Sequence, residues 1–395
     1  MPMKLKIKVS ESMSHPYSPL GTIEDRLIRI PASLRESLGF KTGHFLCLKS
    51  IDDRSIPLQI AVAYYKDAVD GGLCVYVSRD TFGKIDITKL STIKPVDDIL
   101  IGCDPEFFLV DKATGMNISA SHFFSHYGDV GSDCGLAELR PRPGFNEDEV
   151  TANLRDLLIR AYKHISNRML YKDKEMVLIA SSYNNDHTAG FHIHFGLSDK
   201  LLAENKMNRG DNNLLKKMVS VLDYYIGIPA IIPEGSEDYR RRSIKNSQYG
   251  KAGDHRSDHV TLEYRVPGGH LLRHPLLTKG ILGLNMVVIK DLTSRLRKYS
   301  NGYRNMDILN DYRVLHELYP NLPHREKVRD IIMSENIGEA TTQLETIMHD
   351  VKQMIGFKDR SKSIMDYFEY MISYISSGKG FSKNLEINWG LKDER

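Results

Sequence analysis

The chain has 395 residues, 41% of them apolar and 27% charged, with a formal net charge of +3. That length allows roughly two to three domains, and the composition is that of a water-soluble globular protein. No apolar run approaches the roughly 20 residues of a membrane span, so an integral membrane protein is not expected and no membrane partner is predicted, and the weak, dispersed positive charge leaves no footprint for nucleic acid.

The start, "MPMKLKIKVSES", lacks the apolar core of a signal peptide, so the cytoplasm is the expected compartment. Four cysteines, Cys47, Cys74, Cys103 and Cys134, form no CxxC pair and read as free thiols. Residues 1–97 hold short β-branched or aromatic runs, among them "KLKIKVSE", "RLIRIPASL", "HFLCLKS", "LQIAVAYY" and "LCVYVSR", separated by Gly, Asp and Pro. They predict a small β-barrel-like N-terminal domain. Within it, "IRIPASLRESLGFKTGHFLCLKS" resembles half-barrels of the double-psi or swapped-hairpin type. The boundary falls at "KPVDDIL", Lys94 to Leu100.

From Leu100 onwards strands and helices mix, an α+β pattern. "ILIGCDPEFFLV", "LAELRP", "MVLIASSY", "GFHIHFGL" and "VTLEYRV" read as strands, and Pro105 predicts a bulge or an edge position in the first. Asn146 and Glu149 have the spacing of a capping box ahead of a helix carrying Val150, Leu154, Leu157, Leu158, Ala161, Ile165 and Met169 on one face. A second helix, "DNNLLKKMVSVLDYYIGI", should stop at Pro229. After Pro275 the chain turns helical, which divides the rest into a core at 98–290 and a helical part at 291–395 packed on it.

Side chains two apart on a strand share a face. Asp104 and Glu106, Glu138 and Arg140, His192 and His194, and Glu263 and Arg265 are such pairs, with apolar neighbours on the other face. Alone, each pair also fits the solvated face of an antiparallel strand. Together they contain only Asp, Glu, His and Arg, and crowded carboxylates repel unless a cation such as Mg²⁺ or Mn²⁺ sits among them. Arginines beside them can pair with the acids or clamp phosphate. The loop "PEGSEDYRRRSIKNSQYGKAGDHRSDH" adds Arg240, Arg241, Arg242, Lys251 and Arg256 around Gly250 and Gly253; it reads equally as a solvated basic loop or as a clamp for a nucleoside triphosphate, and it is not a P-loop.

The ordered motifs "GCDPEFFLVD", "DCGLAELRPRP", "AGFHIHFG", "QYGKAGDHR" and "TLEYRVPGG", over roughly residues 100–270, resemble the phage-type carboxylate-amine ligases (type 2 amidoligases) of the glutamine synthetase and glutamate-cysteine ligase superfamily. The resemblance implies a curved antiparallel sheet backed by helices. It implies an ATP-dependent ligase that joins a carboxylate substrate to an amine substrate through an acyl phosphate, with ATP and two Mg²⁺ or Mn²⁺ ions. It places Asp104, Glu106, Glu138, His192 and Glu263 at metals, with Asp104 shortening one ligand, and His194 at the nucleotide phosphates; Lys251 and Arg242 of the basic loop and Arg140 of the strand pair join that phosphate set on their charge. Arg265 and Arg256 become contacts of the transferred phosphoryl group; Asp133, in a Gly-rich turn just ahead of "AELRP", is our choice for the residue that binds or deprotonates the amine. Arg142 and Pro143 stand where fuller members have a further glutamate, leaving one metal position short unless Asp133 fills it.

Two other readings stay open. A cupin-like metal enzyme would use His192, His194 and Asp199, although Asp199 also reads as a helix N-cap. A binding or virion-associated protein would keep the fold without turnover. A guanidino kinase fits less well, because the histidine pair is not its pattern.

Overall fold

The computed structural model describes residues 6–10, 27–38, 40, 45–49, 51, 55–63, 74–85, 99–166, 175–197, 214–243, 250–257, 261–302, 304–305, 309 and 311–391. The first elements are β1 (Lys6–Val9), β2 (Leu27–Ile30), α1 (Ala32–Ser37), β3 (Phe45–Lys49), β4 (Ser55–Val62), β5 (Cys74–Val77) and α2 (Arg79–Lys84). Their strands form one sheet in the order β1-β5-β2-β4-β3. The β1/β5 and β2/β4 pairs are parallel, while β2/β5 and β3/β4 are antiparallel. Alternate residues such as Ile28, Ile30, Leu46, Leu48, Leu58 and Ile60 fill a core of their own. The β-rich reading therefore holds, but the barrel is not seen. Among the described residues β1 and β3 are edges that do not pair with each other, and closure requires that pairing. The expected boundary at 97/98 lies outside the described residues.

The chain continues with β6 (Ile101–Asp111), β7 (Asn117–Ile118), β8 (Val130–Asp133), β9 (Leu136–Leu139), α3 (Glu147–Ser166), β10 (Met176–Ile179), β11 (Tyr183–Asn184), β12 (His187–Thr188) and β13 (Phe191–Gly196). Then come α4 (Leu214–Leu222), α5 (Ile228–Ile231), α6 (Arg240–Ser243), β14 (His255–Ser257) and β15 (Thr261–Tyr264). An eight-stranded sheet runs β14-β15-β13-β6-β9-β8, with β10 and β7 paired to the far end of β6. Every pairing in it is antiparallel.

Strand alternation explains which face is buried. Ile101, Cys103, Phe107 and Leu109 of β6, Phe191, Ile193 and Phe195 of β13, and Leu262 and Tyr264 of β15 point into one core with the helices. Pro105 is not at an edge, contrary to expectation, because β6 is the central strand. The proline is tolerated where partners change: it is the residue paired with Phe191 of β13, and the pairing with β9 begins at Glu106.

Helix α3 is capped as its sequence predicts: Asn146 Oδ1 accepts from Glu149 N at 2.8 Å, and Glu149 Oε2 accepts from Phe145 N at 3.1 Å. Val150, Leu154, Leu157, Leu158, Ala161 and Ile165 bury the expected face, and Met169 lies outside the described residues. The second helix does not stop at Pro229. Between α4 and α5 the chain makes a π-turn over Asp223–Gly227 and passes through the proline. Pro229 has no N–H to offer a regular ladder, and the widened turn precedes that break.

The remainder is helical: α7 (Pro275–Tyr299), α8 (Tyr312–Leu318), α9 (Arg325–Met333), α10 (Gly338–Gln353), α11 (Phe357–Ser377) and α12 (Leu385–Asn388). The division expected at 290/291 falls inside α7, and a single apolar cluster extends from Ile101 to Leu391. A continuous helix buried along most of its length leaves no linker there. Polar ties run the same way, as Ser363 Oγ of α11 donates to Glu147 Oε1 of α3 at 2.6 Å and Trp389 Nε1 donates to Leu272 O at 2.8 Å. No helix among the described residues is long and apolar enough to cross a membrane.

Candidate active site

The register of the antiparallel sheet brings the four polar pairs onto one face. His192 is opposite Asp104, His194 opposite Glu263, Arg256 opposite Glu263, and Glu106 opposite Glu138. Directly opposed residues in antiparallel strands project the same way, so five strands contribute to a contiguous polar surface. Asp133, two residues beyond Gly131, the partner of Glu138, projects from the same face of β8.

The centre is a triad. Asp104, His192 and Glu263 each offer a ligand atom, all within 4.8 Å of one another. His192 Nδ1 is 3.5 Å from Asp104 Oδ1 and 3.6 Å from Glu263 Oε1. Asp104 Oδ1 and Glu263 Oε1 are buried with no hydrogen-bond partner among the described residues. Burial drives His192 down to about 3, against the opposing pull of Asp104, so its imidazole is neutral near pH 7 and retains a lone pair. Two unsatisfied carboxylate oxygens and a neutral imidazole fit a divalent cation. Asp104, whose shorter side chain left its metal contact open, is thus at the centre. Glu106 and Glu138 stand beside this triad rather than in it.

Glu106 Oε2 accepts from Gly190 N at 2.6 Å. Burial nevertheless raises its carboxyl to about 8, helped by Glu138 and Asp104. Burial and Asp104 likewise raise Glu138 to about 7, opposed by Arg140. These are the shifts of carboxylates crowded out of water without enough positive charge beside them. Asp104 moves the other way: burial pushes it up, but His194, His192 and Arg140 outweigh that and hold it low. His194 Nε2 lies 3.1 Å from Asp104 Oδ2, and this partner raises the imidazole although burial acts to lower it.

Two arginines flank the third acid. Arg256 Nε donates to Glu263 Oε2 at 2.6 Å while its side chain stays 65% exposed, and Arg265 Nε is 3.3 Å from Glu263 Oε1. The basic loop divides. Arg242 is withdrawn from the nucleotide set, because it is buried in an ion pair with Glu234. Arg140 pairs with Glu138 and donates from Nη1 to the carbonyls of His126 and Gly128, both at 2.9 Å, which ties it to a loop. Lys251 is exposed, in the turn closed by Asp254 N donating to its carbonyl at 2.9 Å. Residues 244–249 and 258–260 lie outside the described residues, as does Asp199 of the cupin-like alternative.

Arg241, read from sequence only as one cation of the basic loop, lies directly beneath the polar face. It is fully buried, and donates from Nη1 to Val266 O at 2.8 Å and from Nη2 to Arg265 O at 2.9 Å. A Cβ on Gly250 would overlap its guanidinium, and one on Gly190 would overlap His192 Nε2 and come within 3.1 Å of Arg241 Nη2. Both glycines are therefore spaces that this arginine and His192 use. The run "RRR" gave no signal that its middle member faces inward.

An antiparallel sheet backed by helices, with acids, histidines and arginines gathered on one face, defines an α+β protein whose site suits a divalent cation and phosphate. The chain belongs to the phage phiEco32-like COOH·NH2 ligase type 2 family, whose pattern matches residues 101–359. No curated protein matches it by sequence. Similar solved structures include the ligase PafA in complex with the prokaryotic ubiquitin-like protein Pup, at 10% identity, 75% of this chain and 67% of that chain covered, and a TM-score of 0.43. A bifunctional glutathione synthetase from Pasteurella multocida aligns at 14% identity over 74% of this chain and 51% of that chain, with a TM-score of 0.33. A glutamine synthase homologue aligns at 11% identity over 88% and 82% respectively, with a TM-score of 0.35.

Proposed function

We propose that this carboxylate-amine ligase activates its acid with ATP. The observation that carries the reading is the Asp104–His192–Glu263 triad with Arg256 and Arg265 on either side of Glu263. A carboxylate does not condense with an amine directly, since its oxygen is a poor leaving group. In the proposed sequence the carboxylate oxygen attacks the γ-phosphorus of ATP, giving an acyl phosphate and ADP. The amine nitrogen then attacks the acyl carbon, phosphate departs with the C–O bonding pair, and the nitrogen gives up a proton.

Asp104, His192 and Glu263 would hold a divalent cation, Mg²⁺ or Mn²⁺, with Glu106 and Glu138 beside it as candidates for a second. Such ions neutralise charge on phosphoryl oxygens. Arg265 and Arg256 stabilise the transferred phosphoryl group, which is work of positioning and electrostatics. His194 and Lys251 remain the candidates for the nucleotide phosphates. Asp133, half-buried at the end of β8, is the proposed acceptor of the amine's proton. The cytoplasm, of a host cell if the gene is carried by a phage, would supply ATP.

The test is hydroxamate formation: hydroxylamine replaces the amine across a panel of carboxylic acids, with ATP and Mg²⁺ or Mn²⁺. Metal-dependent ADP release and trapping of a particular acid are expected. Glu263→Gln and Arg265→Ala should each lower that rate by about 10²–10³. Rates unchanged in both variants would show the site to be misplaced, and absence of any ATP-dependent trapping would favour a binding protein.

A further inference from the structure

Beyond Glu106 the central strand β6 changes neighbours. β9 pairs with it at Glu106 and Phe107, and β7 takes over at Leu109 and Val110. In the gap lies a pocket of about 370 Å³ lined by Phe108, Ile118 and Leu136 together with Ser119, Cys134 and His187. That volume suits a small molecule or part of one. Phe108 is two residues from Glu106, and Leu136 two residues from Glu138, so the pocket continues the face that carries the site.

Its chemistry changes abruptly across that short distance. No lysine, arginine, aspartate or glutamate is among the residues that line it, and the apolar floor belongs to a small cluster of Phe108, Val110, Leu136 and Ala189. At its rim stands Asp133, which is paired directly with Leu136 across the two strands and precedes Cys134 in the chain. A group that fills the pocket and reaches towards the catalytic face therefore meets the Asp133 carboxylate first, on the same face as Leu136. An anionic end would be repelled there, whereas a primary ammonium is attracted. The pocket itself suits a body that is uncharged and partly apolar, because a charge in it would meet no partner.

We infer that this pocket holds the non-reacting body of the amine substrate, an uncharged aliphatic or aromatic group, with its nitrogen directed to Asp133. The inference rests on the ligase reading and adds to it the class of amine. Hydroxylamine has no such body and does not use the pocket.

The test compares hydroxylamine, methylamine, n-butylamine and benzylamine as acceptors with one trapped acid. In the natural sequence kcat/KM should rise at least about tenfold from methylamine to n-butylamine, since each buried methylene favours binding. Ser119→Phe, which fills the pocket, should abolish that rise and lower the n-butylamine to hydroxylamine ratio by a similar factor. A flat series, or a ratio unaltered by Ser119→Phe, overturns the inference. Cys134 supplies a readout that needs no turnover, because it is exposed while Cys74 and Cys103 are buried. Benzylamine should slow its reaction with a pyridyl disulfide at least about threefold, read by peptide mapping, whereas ATP should not. An unprotected Cys134 overturns the pocket assignment even if the ligase reading stands, and failure of hydroxylamine trapping sinks that reading while the protection experiment still judges the pocket.

Discussion

Arg240, Arg241 and Arg242 are consecutive, yet they occupy different worlds. Arg240 lies over the Tyr183 ring at 5.6 Å, Arg241 reaches under the site, and Arg242 is locked to Glu234. Successive helical residues point about 100° apart, so a run of like charges cannot share one task. Arg242→Met should leave the hydroxamate kcat/KM of the folded enzyme unchanged, while removing the partner of a buried carboxylate. The expected loss is about 3–5 kcal/mol in urea unfolding. An activity loss without that destabilisation would return Arg242 to the nucleotide site. The paired acids and histidines were legible because a strand alternates strictly, so spacing alone put Asp104 with Glu106 and His192 with His194. Nothing comparable marks which arginines of the three are buried, or which of those lies under the site, since that depends on where the short α6 docks.

At the scale of elements, two glycines test whether the packing that shapes the site is understood. Gly190 precedes β13, and a side chain there would displace His192 or Arg241. Gly190→Ala should weaken Mn²⁺ binding by about 10–100-fold, measured by electron paramagnetic resonance of the free ion, with circular dichroism unchanged. Gly227 lies in the π-turn, where a Cβ would stand 2.7 Å from Tyr264 Oη and 2.9 Å from Ile332 Cδ1. The tyrosine hydroxyl donates to Asp223 Oδ1 at 2.8 Å. Gly227→Ala should therefore cost about 1–3 kcal/mol, read as a shift in urea midpoint at constant slope. Strands and the long amphipathic helices were readable from periodicity. The π-turn was not, because Pro229 normally ends a helix and only packing on both sides carries the chain past it. Helix α9 carries little periodic signal for another reason: it buries only Val328, Ile331 and Ile332, too few to show a period.

Across the whole molecule, a buried polar network joins the segment after β10, α5 and the entry to α7. His270 is completely buried; its Nδ1 lies 2.8 Å from Ser182 Oγ and its Nε2 2.9 Å from Ala230 O. Burial lowers it from 6.5 to about 3, although Asp238 pulls the other way. The unfolded chain therefore takes up a proton that the folded chain refuses. This contribution to stability is complete above pH 6.5 and is lost progressively as pH falls towards 3. On the order of 4 kcal/mol should disappear over that window in urea titrations. His270→Gln should flatten the slope between pH 6 and pH 4, on the order of the same window; an unaltered slope would assign the acid sensitivity elsewhere.

The sequence alone determined the α+β pattern, the inward face of each main strand and the set of residue types able to hold phosphate and metal, because alternation and composition are local properties. It also carried the family, through motifs whose order survives in one chain. Tertiary structure decided the rest. Register placed Asp104, His192 and Glu263 within 4.8 Å while leaving Glu106 and Glu138 beside them. Docking of α6 buried Arg242 against Glu234 and set Arg241 beneath the polar face, and the change of partner along β6 opened the pocket next to Asp133. Such outcomes depend on distances between segments far apart in the chain, which no local pattern encodes.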